Sequence, residues 1–367
     1  MPVSLPAFGW NVVELGWVEG AKPLAVKNPV KAKPGSIANA LWRVEARKGE
    51  TGVQFFHHGK KFFVGDGLQA VLFDDPWGSW GGMVEEPDSF LLKKVRENWK
   101  ITEVELLEEG PQRAALWVRF AGKKSRIDLT FQVSRDRDAV DVSARVLIDD
   151  RSARLKLVFP AGDQVDYEVP GSVVHRGPAG EVPGARWARV HDKNGGMGFA
   201  SDALYNFDSV KGEFRATVVR ASRYANDVET PATAEPWRPA VDCGELKFRF
   251  LVTGAKADLP RLAAELEQAP VVLTVPPGKG KQKRTGSLLE ITPSSVRLLA
   301  LKPAEEGRGF ILRAQAAPGN ATKVSALWLG KKIQLGALKG GEIATWKLQE
   351  SKSGFKATRL KLPEGLA

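Results

Sequence analysis

At 367 residues, with 43% hydrophobic and 26% charged, the chain has the composition of a soluble globular protein and is too long for one ordinary β-sandwich. Its 54 Lys and Arg outweigh 43 Asp and Glu, but the excess is spread along the chain. The densest cluster, Lys279, Lys281, Lys283 and Arg284, lacks the interleaved aromatics of a nucleic-acid platform, so no nucleic-acid partner is expected.

A lone cysteine, Cys243, excludes an intramolecular disulfide framework and a cysteine-based metal site. The opening residues lack a charged-then-apolar signal pattern, and no apolar run is long enough to span a bilayer. A cytoplasmic location with no membrane partner is the expectation.

With 37 Gly and 23 Pro between short apolar runs, the elements should be strands joined by turns. Strand patterns occupy 37–46 and 52–56. Asp74-Asp75 and Glu85-Glu86 then flank an aromatic, glycine-rich run containing Trp77 and Trp80. Indole faces cover the apolar face of a sugar ring and carboxylates bond its hydroxyls, so Asp75, Trp77 and Trp80 are carbohydrate-contact candidates. A buried aromatic corner, with glycines permitting close backbone approach, accounts for the same residues.

Further strands are predicted over 114–120, 126–133, 139–148, 153–159, 213–219 and 246–252. Ile127, Leu129, Phe131 and Val133 alternate with polar residues; Val140, Val142, Ala144, Val146 and Ile148 repeat the pattern after a polar turn, which predicts an antiparallel hairpin. Between 153–159 and 246–252 lie Asp202, Tyr205 and Arg220, all able to bond sugar hydroxyls and all also ordinary turn and edge residues. One helix is expected near 258–268, with Asp258 as cap, Pro260 in the first turn and Leu259, Leu262, Ala263 and Leu266 on one face. The Pro-, Gly- and Lys-rich stretch 276–286 reads as a linker or exposed loop, and short strands resume to about 362. The expected organisation is a large β domain over 1–270, a linker over 271–286 and a small β-sandwich over 287–367.

The four histidines, His57, His58, His175 and His191, are expected to be structural or solvent-exposed. Neighbours on one strand point to opposite faces, so His57 and His58 could not easily share an ion. No phosphate cradle and no local nucleophile–base signature is present. Neither catalytic residues nor metal ligands are assigned.

Several segments, taken in order, resemble glycoside hydrolase family 38. Phe159-Pro160 with Tyr167-Glu168-Val169-Pro170-Gly171 is similar to a strand pair of that family. Arg186-Trp187-Ala188, Gly196-Met197-Gly198-Phe199-Ala200-Ser201-Asp202, Tyr205, Asp208 and Lys211-Gly212 resemble its R-W-A-D, Y-G-V-A-L-L-N-D, K-Y-G-Y-D and K-G stretches. Val219-Arg220-Ala221-Ser222 with Asp227 is similar to its L-L-R-S-P segment, and 288–301 and 309–314 to its terminal small sandwich. Arg189 stands where the family has Asp, and Ala221-Ser222-Arg223 replaces Ser-Pro.

The resemblance implies an all-β chain: a large antiparallel, galactose mutarotase-like β-supersandwich, then a smaller β-sandwich, with one short helix between them. It places the family's zinc and nucleophile in an N-terminal barrel of which this sequence shows neither ligands nor nucleophile, since Pro2–Gly20 already resembles the entry into the β half. Inactivity of the chain by itself, zinc only with a barrel, support of a barrel in cis or in trans, and weak contact with mannose-containing glycans through Tyr205 and Arg220 follow as expectations. A stand-alone carbohydrate-binding protein and a purely structural interaction module are the alternatives.

Overall fold

The period-two alternation around Phe131 becomes the strand Arg126–Ser134, in which Ile127, Leu129, Phe131 and Val133 are wholly buried. It pairs antiparallel with Val140–Ile148, Ile127 opposite Val146 and Phe131 opposite Val142, which is the predicted hairpin. The computed structural model describes residues 3–16, 19–20, 25–75, 92–193, 195–224, 239–276, 278–305, 307–319, 321–352 and 354–361.

Among these residues the hairpin belongs to a nine-stranded antiparallel sheet. Its order is Ser172–Arg176, Gln164–Val169, Trp187–His191, Met197–Ser201, Gly244–Gly254, Val140–Ile148, Arg126–Ser134, Arg113–Ala121 and Lys100–Glu109. A second, eleven-stranded sheet runs Ala179–Pro183, Asn206–Val210, Glu213–Ala221, Ala153–Phe159, Leu68–Asp74, Gly52–His57, Trp42–Glu45, Ser36–Ala38 and Lys31–Lys33. Lys60–Lys61 and Val95–Asn98 pair on its flanks. Inward side chains of both sheets share one core, in which Phe159 meets Phe63, Phe199, Phe214 and Phe250 at ring distances of 5.6–6.3 Å. Such tilted and edge-on contacts are favoured by the ring quadrupoles.

The expected single strand over 37–46 is instead a tight hairpin, Ser36–Ala38 paired with Trp42–Glu45. Asn39 makes the break. Its Oδ1 accepts from the N–H groups of Leu41 and Trp42 at 2.8 and 2.6 Å, and its Nδ2 donates to the carbonyls of Ser134 and Arg137. An asparagine side chain that mimics backbone in this way turns the chain despite apolar residues on both sides.

The helix is Leu259–Glu267. Asp258 caps it by accepting from the Arg261 N–H at 3.3 Å, Pro260 sits in the first turn, and Leu259, Leu262, Ala263 and Leu266 are buried.

By its contacts the chain forms two compact units: Leu24–Val169 with Val174–Val271, and Met1–Pro23 with Pro170–Val173 and Val272–Ala367. In the second unit Gly9–Asn11 pairs with Thr285–Ser287, a long-range pairing that no local signal announces. The same unit holds a three-stranded sheet (Leu289–Thr292, Thr322–Trp328, Lys331–Leu338) and a four-stranded one (Val296–Pro303, Phe310–Ala316, Ile343–Ser351, Gly354–Leu360). Leu289, Leu312, Val324, Ile333, Trp346 and Leu348 form its core.

Phe159→Ala should lower the unfolding free energy of the large unit by about 3–5 kcal/mol, because the ring leaves a cavity bordered by four other phenylalanines. Phe159→Leu should lose less. Chemical denaturation with far-ultraviolet circular dichroism checks this, and equal losses for the two variants would contradict the packing account.

Candidate functional site

Ala153–Phe159 is buried along its whole length. Leu155, Leu157 and Phe159 face the sandwich core, which sends Arg154 and Lys156 to the opposite face of the sheet. Lys156 is only 1% exposed, and a desolvated ammonium persists only if it is paired.

The partners come from other strands of the same sheet and from Asp75 just past Leu68–Asp74, and they form a chain of alternating charge. Arg220 donates to Asp75 through Nε at 2.6 Å, and Arg154 Nη2 donates to the same carboxylate at 2.7 Å. Arg154 Nη1 reaches Glu181 at 2.7 Å. Lys156 bridges Glu181 and Asp208, and Arg215 closes the row against Asp208 at 3.4 Å and Glu213 at 2.7 Å. Asn206 Nδ2 and the Thr217 hydroxyl donate to Glu181 at 2.6 and 3.0 Å. The Phe73 ring lies beside both Lys156 and Arg215, with centroid distances of 5.5 and 5.4 Å.

A β-bulge aligns this row. In Glu213–Ala221, Thr217 pairs with Lys156 while Val219 pairs with Leu155, leaving Val218 as the extra residue. Phe214, Ala216, Val219 and Ala221 therefore face the core, and Arg215, Thr217 and Arg220 face the charged side. Were all nine residues to alternate strictly, with no bulge, Arg220 would share the face of Phe214 and Ala216 and point into the core.

Burial alone would raise the Asp75 pKa, but its hydrogen bond from Arg220 and the charge of Arg154 hold it below the usual carboxylate range. Glu181 is likewise lowered, its burial outweighed by Lys156 and Arg154. Burial pushes Asp208 up, since Lys156 and Arg215 offset only part of its desolvation.

The sequence candidates divide between two places. Asp75 and Arg220 belong to this row; Asp75 is wholly buried, whereas the Arg220 side chain is 25% exposed. Asp202 and Tyr205 belong to a turn around Arg249. Asp202 accepts from the Arg249 N–H at 2.7 Å and from its Nε at 2.8 Å, and the Tyr205 hydroxyl donates to the Asp202 carbonyl at 3.0 Å. Asp202 and Arg249 border a groove of about 460 Å³ with Trp117, Arg145 and Lys247. Trp77 and Trp80 lie outside the described residues.

Sequence reasoning missed Arg154, Lys156, Glu181 and Arg215. The available signal was the alternation of Arg154 and Lys156 with Leu155 and Leu157, which is also the pattern of a solvated strand face. Arg189, at the family's Asp position, donates to the Ala255 carbonyl at 2.7 Å and so braces the approach to the helix.

The opposite-face expectation for His57 and His58 does not apply. The strand Gly52–His57 ends at His57, and His58 adopts a left-handed φ of 49°. Strand alternation therefore does not apply between them, and their ring centroids lie 4.2 Å apart instead of on opposite faces. His57 stacks on Trp42, and both reach Asp138, at 2.9 and 2.7 Å. His57, His58 and Asp138 border a cavity of about 1330 Å³ with Lys61, Lys193 and Lys256. Elsewhere His175 and His191 both meet Asp166, at 2.8 and 2.7 Å.

Against this geometry, a family model described as Glycosyl hydrolases family 38 C-terminal domain matches residues 37–228. Two solved structures from Enterococcus faecalis are similar. A protein in glycosyl hydrolase family 38 has a TM-score of 0.70 and 14% identity, over 89% of this chain and 45% of that one. An alpha-mannosidase from strain V583 has a TM-score of 0.70 and 15% identity, over 88% and 43%. At these identities the likeness is one of fold, and the chain spans under half the length of either structure. No curated protein matches the chain by sequence.

Asp75→Ala should destabilise the large unit by about 1–3 kcal/mol, since the buried Arg154 guanidinium keeps Glu181 but loses one of its two carboxylates. A carboxylate with a lowered folded pKa contributes stability that is full above its unfolded pKa and lost as pH falls through the folded one. The difference in denaturation midpoint between the parent and Asp75→Asn should therefore be largest near neutrality and shrink below about pH 4. A difference unchanged down to pH 2 would remove the ion pair as its cause.

Proposed function

Because this chain belongs to the glycosyl hydrolase family 38 C-terminal domain family, we propose that it serves as the β half of an α-mannosidase-like hydrolase, contacting carbohydrate through Arg220 and supporting a catalytic barrel in cis or in trans. The observation that carries the reading is the posture of Arg220. Its guanidinium is partly exposed, yet Nε and Nη2 are both directed at the fully buried Asp75, at 2.6 and 3.4 Å.

An arginine fixed in this way meets a sugar hydroxyl without first losing rotamer freedom, a saving of about 0.5–1.5 kcal/mol on binding. Charge-assisted hydrogen bonds to hydroxyls contribute about 1.5–3 kcal/mol each. Trp77 and Trp80, which follow Asp75 closely in sequence, are assigned the apolar ring face. Tyr205, half exposed, and Asp202 form a second contact point in this reading. In the same reading, zinc and the nucleophile belong to the barrel, and this chain's share of the chemistry is to bind and orient sugar.

Two outcomes follow. The chain by itself should not turn over aryl α-mannosides, with or without added zinc; turnover by the purified chain would overturn the division of labour. Titration of mannobiose against tryptophan fluorescence should give a Kd of about 1 mM or weaker, because one cleft wall alone leaves most of the ligand in water. Arg220→Ala should abolish that signal. Tight binding indifferent to Arg220→Ala and Trp77→Ala would place the sugar on another surface.

A further inference from the structure

Three strands at one edge of the nine-stranded sheet bring together donors that lie far apart in sequence. Asp166 is on Gln164–Val169, His175 on the edge strand Ser172–Arg176, and His191 ends Trp187–His191. Gln164 pairs with His191 and Asp166 with Arg189, so Asp166 and His191 are diagonal neighbours on one face. That face is the outer one, since the intervening Val165, Tyr167, Ala188 and Val190 are wholly buried. Among the described residues, one carboxylate oxygen and one nitrogen from each imidazole lie within 4.8 Å of one another.

We propose that Asp166, His175 and His191 form a binding site for a divalent transition-metal ion of the zinc, cobalt or nickel class. Two imidazoles and one carboxylate are a three-ligand set suited to such ions, with the remaining position left to water. With metal–ligand bonds of about 2.0–2.2 Å, donors around a tetrahedral ion stand roughly 3.3–3.6 Å apart. Asp166 already meets both rings through different oxygens, Oδ1 at 2.8 Å from His175 Nδ1 and Oδ2 at 2.7 Å from His191 Nε2. Opening these contacts by somewhat under 1 Å, with the ion replacing the shared protons, and drawing the two imidazole nitrogens together from a separation of at most 4.8 Å satisfies that spacing.

His175 and His191 are 57% and 46% exposed, so the ion has a solvent path and the imidazoles have room to adjust. Arg189 is the cation that sheet register places opposite Asp166. Its guanidinium is drawn away to the Ala255 carbonyl and the Trp187 face, which leaves the carboxylate to the histidines. The chemistry is independent of the sugar-contact reading. The ion would tie the edge strand to two strands further in.

The test uses the untagged chain, titrated with Co²⁺ by absorption spectroscopy and with Zn²⁺ by calorimetry. One ion per chain is expected, with visible Co²⁺ d–d bands and a raised thermal melting midpoint. His175→Ala and His191→Ala should each weaken binding by about tenfold or more, while their metal-free melts, read at exposed positions, stay near the parent. The double variant His57→Ala, His58→Ala removes the remaining two histidines and should bind as the parent does. Absence of d–d bands and heat in the parent, or binding that survives His175→Ala with His191→Ala, overturns the site.

Discussion

The strand Ala153–Phe159 sets the terms for the large unit, because it is buried on both sides and its two sides are opposite in chemistry. Toward the core, Leu155, Leu157 and Phe159 gain from leaving water. On the other side, Arg154 and Lys156 can be buried only if other segments supply carboxylates at fixed distances. Asp75, Glu181 and Asp208 do so from three separate segments. Replacing a buried ion pair with apolar residues is often neutral or stabilising. The row is therefore better understood as a constraint on register, since a one-residue slip of the strand would turn both cations into the hydrophobic core.

The choice of cation along the row follows from geometry. Arg154 must join two carboxylates lying in different directions, and its planar fork presents separate donors, Nη2 to Asp75 and Nη1 to Glu181. Lys156 lies between Glu181 and Asp208, where a compact charge with three donors serves both. Arg154→Lys would keep the charge and lose the bridge.

Much of the fold was legible because its signals are local. Alternation located the Arg126–Ser134 hairpin, and a cap, a proline and helical spacing located Leu259–Glu267. The strand break at Asn39 was not legible, since its cause is a side chain held by the carbonyls of Ser134 and Arg137, far along the chain. The site was half legible for the same reason. Asp75 and Arg220 were suggested by residue type and position. Their bond spans 145 residues, and the bulge at Val218 that aims Arg220 has no compositional mark. Asp166, His175 and His191 were opaque as a group because only strand order makes them neighbours.

The alternation of sign from Arg220 through Asp75, Arg154, Glu181, Lys156 and Asp208 to Arg215 has a consequence for how the partly exposed end behaves. Every carboxylate in the row is shared between two cations, so moving one cation leaves its carboxylate with a partner on the far side. Arg220 and Arg215 are the two terminal cations, and Arg220, 25% exposed against 12% for Arg215, is the one that reaches further into solvent. Its displacement leaves Asp75 still paired to Arg154, whereas displacement of Lys156 would deprive two carboxylates at once. The row therefore leaves most room for adjustment at the Arg220 end and keeps the interior fixed.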